Sequence, residues 1–131
     1  MGIRQFTDIR TWQSSRQLAR LIYDLSDAID MQRDFALRDQ LRRAALSVMN
    51  NIAEGFGRGS NADFARFLDM ARGSVCEVQS MLYVCEDRGR LPIDQLVTSR
   101  EIARQTLAQI AAFQDHLRNP RAEEDDTSYT A

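Results

Sequence analysis

The chain has 131 residues, a formal net charge of −2, and 44% hydrophobic and 27% charged residues. This length suits a single domain, and the sequence has no run of about 18 apolar residues that could span a bilayer. The N-terminal residues lack the apolar stretch of a signal peptide, so we expect a cytoplasmic protein with no membrane partner.

The basic residues are all Arg, 17 in number, against 19 acidic residues. Residues 120–131 hold one Arg and four acidic residues, a balance of −3, which leaves +1 for residues 1–119. A nearly neutral body argues against a globally basic nucleic-acid-binding domain. Any such function must therefore rest on local clusters of Arg.

Four segments repeat apolar residues at three- and four-residue steps, the period of an amphipathic helix. Thr11 is the candidate N-cap of the first segment, and Gly89 fits the end of the third. The four stripes, in chain order, are Trp12, Ser15, Leu18, Ile22, Leu25 and Ile29; Leu37, Leu41, Ala44, Ala45, Val48 and Ile52; Phe64, Phe67, Leu68, Ala71, Val75, Val78, Leu82 and Cys85; and Leu96, Ser99, Ala103, Thr106, Ile110, Phe113 and Leu117.

The links between these segments are short, and no segment shows the two-residue alternation of a strand. Short links make neighbouring helices antiparallel, so the sequence predicts an all-α, up-down four-helix bundle over residues 1–119. Residues 120–131 are polar, acidic and aperiodic, and we expect them to form a disordered tail.

Three alternating glycines, Gly55, Gly57 and Gly59, separate the second and third segments. They do not form a nucleotide site, because the preceding segment is helical and the chain has no Lys for a phosphate-binding loop. We expect them to end the second helix, with Ser60 and Asp63 forming a capping box for the third. An anion held at that helix start beside Arg58 is the open alternative.

The sequence contains no recognisable catalytic group. The single His116 adjoins a core position near the end of the last helix, and the Glu-x-x-His step of a di-iron bundle is absent. Cys76 and Cys85 point to opposite sides of one helix, so they cannot pair with each other, and we expect both to be reduced packing residues. We therefore predict a non-enzymatic protein with no cofactor, metal or small-molecule substrate.

A second stripe, beside the apolar one, runs along the second and third helices. Separately, Gly73 lies opposite the core in the middle of the third helix, where Gly costs about 1 kcal/mol relative to Ala. A helix of another subunit packed closely against the third helix would explain this glycine and the off-core methionines, and a merely solvated surface is the alternative. The candidate oligomer-interface residues are Gln40, Ser47, Asn51, Glu54, Met70, Gly73, Ser74, Glu77 and Met81.

The stretch "DQLRRAALSVMNNIAEGFGR", followed by "FARFLDMARGSVCEV", resembles the bacterial four-helix-bundle proteins encoded in 23S-rRNA intervening sequences, from about Phe6 to Leu117. The resemblance implies a bundle that assembles into a homopentameric barrel. It extends to the accessory proteins of diversity-generating retroelements, which are similar in fold and act as basic scaffolds for a reverse transcriptase and nucleic acid.

Two functions follow as hypotheses. The first is a self-assembling scaffold or adaptor whose main partner is itself, with RNA or a nucleic-acid-processing protein as a further partner. The alternative is a weak RNA-binding module without sequence preference, because no aromatic stacking platform interleaves its arginines. The candidate nucleic-acid contacts are Arg38, Arg42, Arg43, Arg58, Arg66 and Arg72.

Overall fold

The computed structural model describes residues 3–28, 33–89 and 91–119. These residues form a short 3-10 turn and four α-helices, and no strand lies among them. None of the described helices is long and apolar enough to cross a membrane. The predicted disordered tail, 120–131, lies outside the described residues. The elements are the 3-10 turn Phe6–Asp8, α1 Arg10–Ser26, α2 Phe35–Phe56, α3 Asn61–Arg88 and α4 Ile93–Arg118.

The helices are arranged in a square, in which α2 packs against α1 and α3 while α4 packs against α3 and α1. Two ion pairs show the relative direction of α3 and α4. Glu86, near the end of α3, pairs with Arg100 near the start of α4, and Asp69 near the start of α3 pairs with Arg118 at the end of α4. α3 and α4 are therefore antiparallel, as in the predicted up-down arrangement, and the all-α four-helix bundle is confirmed.

The four predicted apolar stripes meet in one core. All predicted core positions of α3 and α4 are buried, as are those of α1 up to Leu25. Leu37, in the first turn of α2, is only half-buried, and Ile29 lies outside the described residues. Packing of these stripes removes enough apolar surface from water to stabilise the bundle.

The start of α1 differs from the prediction. Thr11 is not the N-cap, because α1 begins at Arg10 and Ile9 occupies the capping position without a side-chain bond. The preceding 3-10 turn leads directly into the helix, and the Gln13 amide joins the two by donating to the Thr7 carbonyl oxygen at 2.9 Å. Thr11 therefore lies inside the first turn, where it is buried.

The three glycines before α3 have different roles. Gly57 ends α2, and Gly59 has a φ of 86°, in the left-handed region that favours glycine. Gly55, however, lies inside α2 against α3, where an added Cβ would stand 2.7 Å from Phe67 Cβ and 2.8 Å from Phe64 Cδ1. The prediction that these glycines end the helix thus holds for two of them, while Gly55 permits close helix packing.

The ends of α3 follow the sequence signals closely. The Ser60 hydroxyl accepts a hydrogen bond from the Asp63 backbone amide at 3.2 Å, which is one half of the predicted capping box. The Asp63 carboxylate instead lies 3.6 Å from the Arg66 guanidinium. At the other end, Gly89 terminates the helix with a φ of 69°, as predicted.

Candidate interaction surfaces

The predicted interface residues of α2 and α3 lie along one seam, because these two helices pack against each other. Ser74 Oγ lies 2.8 Å from Ser47 Oγ across the seam. The Asn51 side-chain amide donates to the carbonyl and hydroxyl oxygens of Ser47, at 2.8 and 3.0 Å. Ser47 and Ser74 therefore join two helices of the same chain, and Asn51 binds Ser47 from the next turn of α2, so part of their hydrogen-bonding capacity is used within the subunit.

Other members of the predicted interface remain on the surface. Gln40 and Glu77 are exposed, while Met81 is half-buried against the core and Glu54 faces Arg58 at 3.6 Å. The outward residues of α3 form a continuous strip, which we call the α3 outer face: Met70, Gly73, Cys76, Glu77, Ser80 and Val84.

The α3 outer face combines a glycine with exposed apolar side chains. Met70 and Val84 are 41% and 44% exposed. A Cβ added to Gly73 would meet no other atom within 4 Å, so nothing in the described chain requires a glycine there. The strip therefore presents open backbone between two apolar side chains.

Arg42, a predicted nucleic-acid contact, is engaged inside the chain. Its Nε donates to Ser26 Oγ at 2.6 Å, and Nη2 lies 2.6 Å from Asp27 Oδ1. Its guanidinium carbon also lies 4.5 Å from the centre of the Tyr23 ring. Arg42 thus attaches α2 to the last turn of α1.

Three more of the predicted contacts have a carboxylate within 4 Å, namely Arg38, Arg58 and Arg66. Only Arg43 and Arg72 of the six are exposed without a carboxylate that close among the described residues. Each carboxylate offsets the positive charge that would attract a phosphate. The pairs and their N–O distances are Arg38–Asp39 at 3.4 Å, Arg58–Glu54 at 3.6 Å and Arg66–Asp63 at 3.6 Å.

The outward side of α1 carries a row of arginines that the sequence reasoning missed. Arg10, Arg16 and Arg20 are exposed, and no carboxylate of the described residues lies within 4 Å of their guanidinium nitrogens. These arginines recur at helical spacing on the polar side of α1, whereas the prediction for this helix used only its apolar side. We call this strip the α1 outer face: Arg10, Gln13, Arg16, Gln17 and Arg20.

The residues that could perform chemistry are dispersed. In the described ranges, no group of three or more His, Cys, Asp or Glu side chains could hold a metal ion. Burial raises the pKa of the Cys85 thiol to about 11, which keeps it protonated and unreactive. Cys76 is exposed, so the expectation that both cysteines are packing residues is wrong for Cys76.

Taken together, the fold and its surfaces define a four-helix bundle with two exposed faces of different chemistry. The sequence model of the 23S rRNA-intervening sequence proteins matches residues 7–112. The chain therefore belongs to the 23S rRNA-intervening sequence protein family, which confirms the resemblance found in its motifs. A comparison with curated proteins finds no significant match.

Proposed function

We propose that this protein is a non-enzymatic scaffold that assembles into a homopentameric ring through the α3 outer face. The observation that carries the proposal is Gly73, which lies in the middle of a 28-residue helix with open space where its side chain would be. Glycine in that position destabilises a helix by about 1 kcal/mol relative to alanine. A helix of a neighbouring subunit, approaching the bare backbone, would offset that cost.

The exposed methionine and valine beside this glycine support the same proposal. Met70 lies one turn before Gly73, and Val84 lies three turns after it on the same side of the helix. Burial of two such side chains against a neighbour would contribute about 25 cal/mol for each Å² of apolar surface removed from water. The polar Glu77 and Ser80 between them would form the wetter part of the contact.

A ring needs a second, different patch on each subunit, because a closed ring of five is built from head-to-tail contacts. The first two turns of α4 offer one. Ile93 and Val97 are 68% and 57% exposed and lie one turn apart, and Tyr83 of the adjacent α3 is 63% exposed. We propose that this apolar patch receives the α3 outer face of the next subunit. The number five rests on the family resemblance.

The alternative, weak RNA binding through arginines of α2 and α3, has less support. Arg42 is held by Ser26 and Asp27, and three of the other five candidates also face carboxylates. Binding RNA there would require those ion pairs to be exchanged for phosphate contacts. The two remaining arginines, Arg43 and Arg72, would supply at most two phosphate contacts, so binding there would be weak.

The proposal is tested by measuring the mass of the assembly. Light scattering after size-exclusion chromatography should give about five times the chain mass of 15.0 kDa for the native protein. Gly73→Leu should reduce the mass to that of a single chain, because the new side chain occupies the approach path. Ala108→Leu is the matched control, since it adds a leucine to an exposed position in the middle of α4.

Circular dichroism separates a broken ring from an unfolded chain. We expect Gly73→Leu to remain fully helical, because its side chain would meet no atom of its own subunit near Cβ. A native protein that is monomeric at micromolar concentration would refute assembly. A Gly73→Leu protein that keeps the native mass would show that assembly, if present, uses another surface.

A further inference from the structure

We infer that the α1 outer face binds the phosphodiester backbone of a nucleic-acid strand, without reading its bases. This inference goes beyond the scaffold function and does not depend on the ring. It rests on three observations. The arginines of α1 lack the nearby carboxylates that most of the other candidate arginines have, a groove lies beside the α1 arginines, and no exposed large apolar side chain lies between them on the helix.

The first argument is charge. Two acidic residues flank α1: the Asp8 carboxylate accepts hydrogen bonds from the backbone amides of Arg4 and Gln5, at 3.1 Å each, and keeps its charge, whereas Asp27 pairs with Arg42. Asp24 lies on the same side of α1, one turn beyond the last arginine of the strip. Three arginines against Asp8 and Asp24 leave a small positive excess on the α1 outer face, with no carboxylate of the described residues within 4 Å of a guanidinium nitrogen.

The second argument is the shape of this face. A groove lies along it, lined by the ring of Trp12 and by neighbouring polar side chains. The Arg16 guanidinium carbon lies 5.9 Å from the centre of the Trp12 ring, which restrains this arginine at the groove wall. The Gln13 amide is fixed by its bond to Thr7. The groove residues are Thr7, Trp12, Gln13, Arg16, Gln17 and Arg20.

The third argument concerns the class of ligand. Arg10 and Arg20 are separated by about 15 Å along the helix axis, the length of about four nucleotides of a strand. Protein interfaces normally bury an apolar centre. Among the described residues, however, no exposed large apolar side chain lies on α1 between Arg10 and Arg20. A linear row of planar guanidinium forks fits a chain of phosphates better than it fits a protein surface.

Base recognition is not expected at this site. Trp12 is only 8% exposed, so its ring offers little surface on which a base could stack. The exposed Gln17 can donate a hydrogen bond to a phosphate or sugar oxygen. Contacts of this kind fix the position of a strand but carry no sequence information.

The test compares two double variants of equal charge. Arg16→Gln with Arg20→Gln removes two arginines of the α1 outer face, while Arg58→Gln with Arg66→Gln removes two carboxylate-paired arginines. Both change the net charge by −2, so long-range attraction falls equally. Fluorescence anisotropy with a labelled single strand of about 20 nucleotides, as RNA and as DNA of mixed sequence, measures binding at about 50 and about 200 mM salt.

We expect the α1 double variant to weaken binding by about tenfold and to reduce the slope of log K against log salt by about 1.4, since each single-strand phosphate contact contributes about 0.7. The paired-arginine variant should change affinity less than about twofold. RNA and DNA should bind alike, because backbone phosphates are common to both. An RNA-only response would assign the contact to the 2′-hydroxyl and overturn the phosphate assignment.

Three further results would overturn the inference. The native protein could fail to bind either strand at about 50 mM salt, where phosphate contacts are strongest. The two double variants could lose affinity equally, which would reduce the effect to net charge. The paired-arginine variant could lose more, which would place the contact at the α2–α3 connection and the start of α3. Light scattering of the same samples reports the ring separately, so failure of one proposal is distinguishable from failure of the other.

Discussion

The outer faces of α1 and α3 are both exposed strips on helices that share one core, yet they differ in charge and in apolar character. The α1 outer face presents Arg10, Arg16 and Arg20 with no carboxylate within 4 Å in the described chain. The α3 outer face presents the bare backbone of Gly73 between exposed apolar side chains. The apolar stripe of each helix specifies the bundle, whereas the opposite stripe determines what the bundle can contact.

This difference has a consequence for assembly. Two copies of the α1 outer face would repel each other, because their positive charges would come together without an intervening carboxylate. The α3 outer face carries no such penalty, and its glycine allows the backbone of another helix to approach. Assembly through α3 would therefore leave α1 free on the ring for an anionic ligand. The predictions below test this separation of roles.

A change in the shared core should affect both faces together, and we expect it to have the largest effect. Leu82 is fully buried between the helices. Leu82→Ala should lower the free energy of unfolding by about 2–5 kcal/mol, because it removes apolar contacts and leaves a cavity. Urea unfolding followed by circular dichroism measures this loss. A change below about 1 kcal/mol would mean that α3 packs less tightly than the structure has it.

Two glycines within the helices offer a sharper comparison, because the same substitution should have opposite effects. Gly55→Ala places a Cβ 2.7 Å from Phe67 Cβ, an overlap that should destabilise the bundle by about 1–3 kcal/mol. Gly73→Ala meets nothing within 4 Å and should stabilise an isolated subunit by about 0.5–1 kcal/mol, as alanine does in a helix interior. Thermal melts of both variants check the signs.

The outcome at Gly73 also separates the two interpretations of the α3 outer face. On a merely solvated surface, alanine should raise the melting temperature at every protein concentration. In a close contact between subunits, the gain should appear only at low concentration and be cancelled where the ring forms. Equal stabilisation at all concentrations would count against the proposed contact.

The apolar period predicted the four helices and nearly all of the core, because that pattern is local and each helix reports its own buried side. The pairing between helices was harder to predict. The helical period predicts Ser47 and Ser74 as interface residues, but it does not predict that their hydroxyls lie 2.8 Å apart within one chain. A helical projection gives the side on which a residue lies, but not which helix covers it.

The same limitation explains why the partners of Arg42 could not be predicted from the sequence. Arg42 was predicted to face nucleic acid because its sequence neighbours are basic, whereas its partners Ser26 and Asp27 come from the end of the preceding helix. The α1 outer face, by contrast, needed no tertiary information. Its arginines and glutamines follow the helical period, and they would have been found if the polar side of each helix had been projected as carefully as the apolar one.

Arg42 itself provides the next prediction. Arg42→Ala should lower the free energy of unfolding by about 1 kcal/mol, because it removes the bonds that attach α2 to the last turn of α1. It should not reduce affinity for a nucleic-acid strand beyond the effect of one charge. Arg43→Ala is the matched control, since this neighbouring arginine is exposed with no carboxylate within 4 Å among the described residues. Equal stability of the two variants would contradict the structural role of Arg42.

The smallest perturbation is chemical labelling, which alters neither the fold nor the charge of the starting protein. Cys76 lies one turn after Gly73 on the α3 outer face and is exposed in the single chain. If a neighbouring subunit covers that face, a thiol reagent should modify Cys76 more slowly in the native protein than in Gly73→Leu. Cys85 is the internal control, because burial raises its pKa to about 11 and should keep it unmodified in both. Equal Cys76 rates in a native pentamer and a monomeric variant would show that the subunits meet elsewhere.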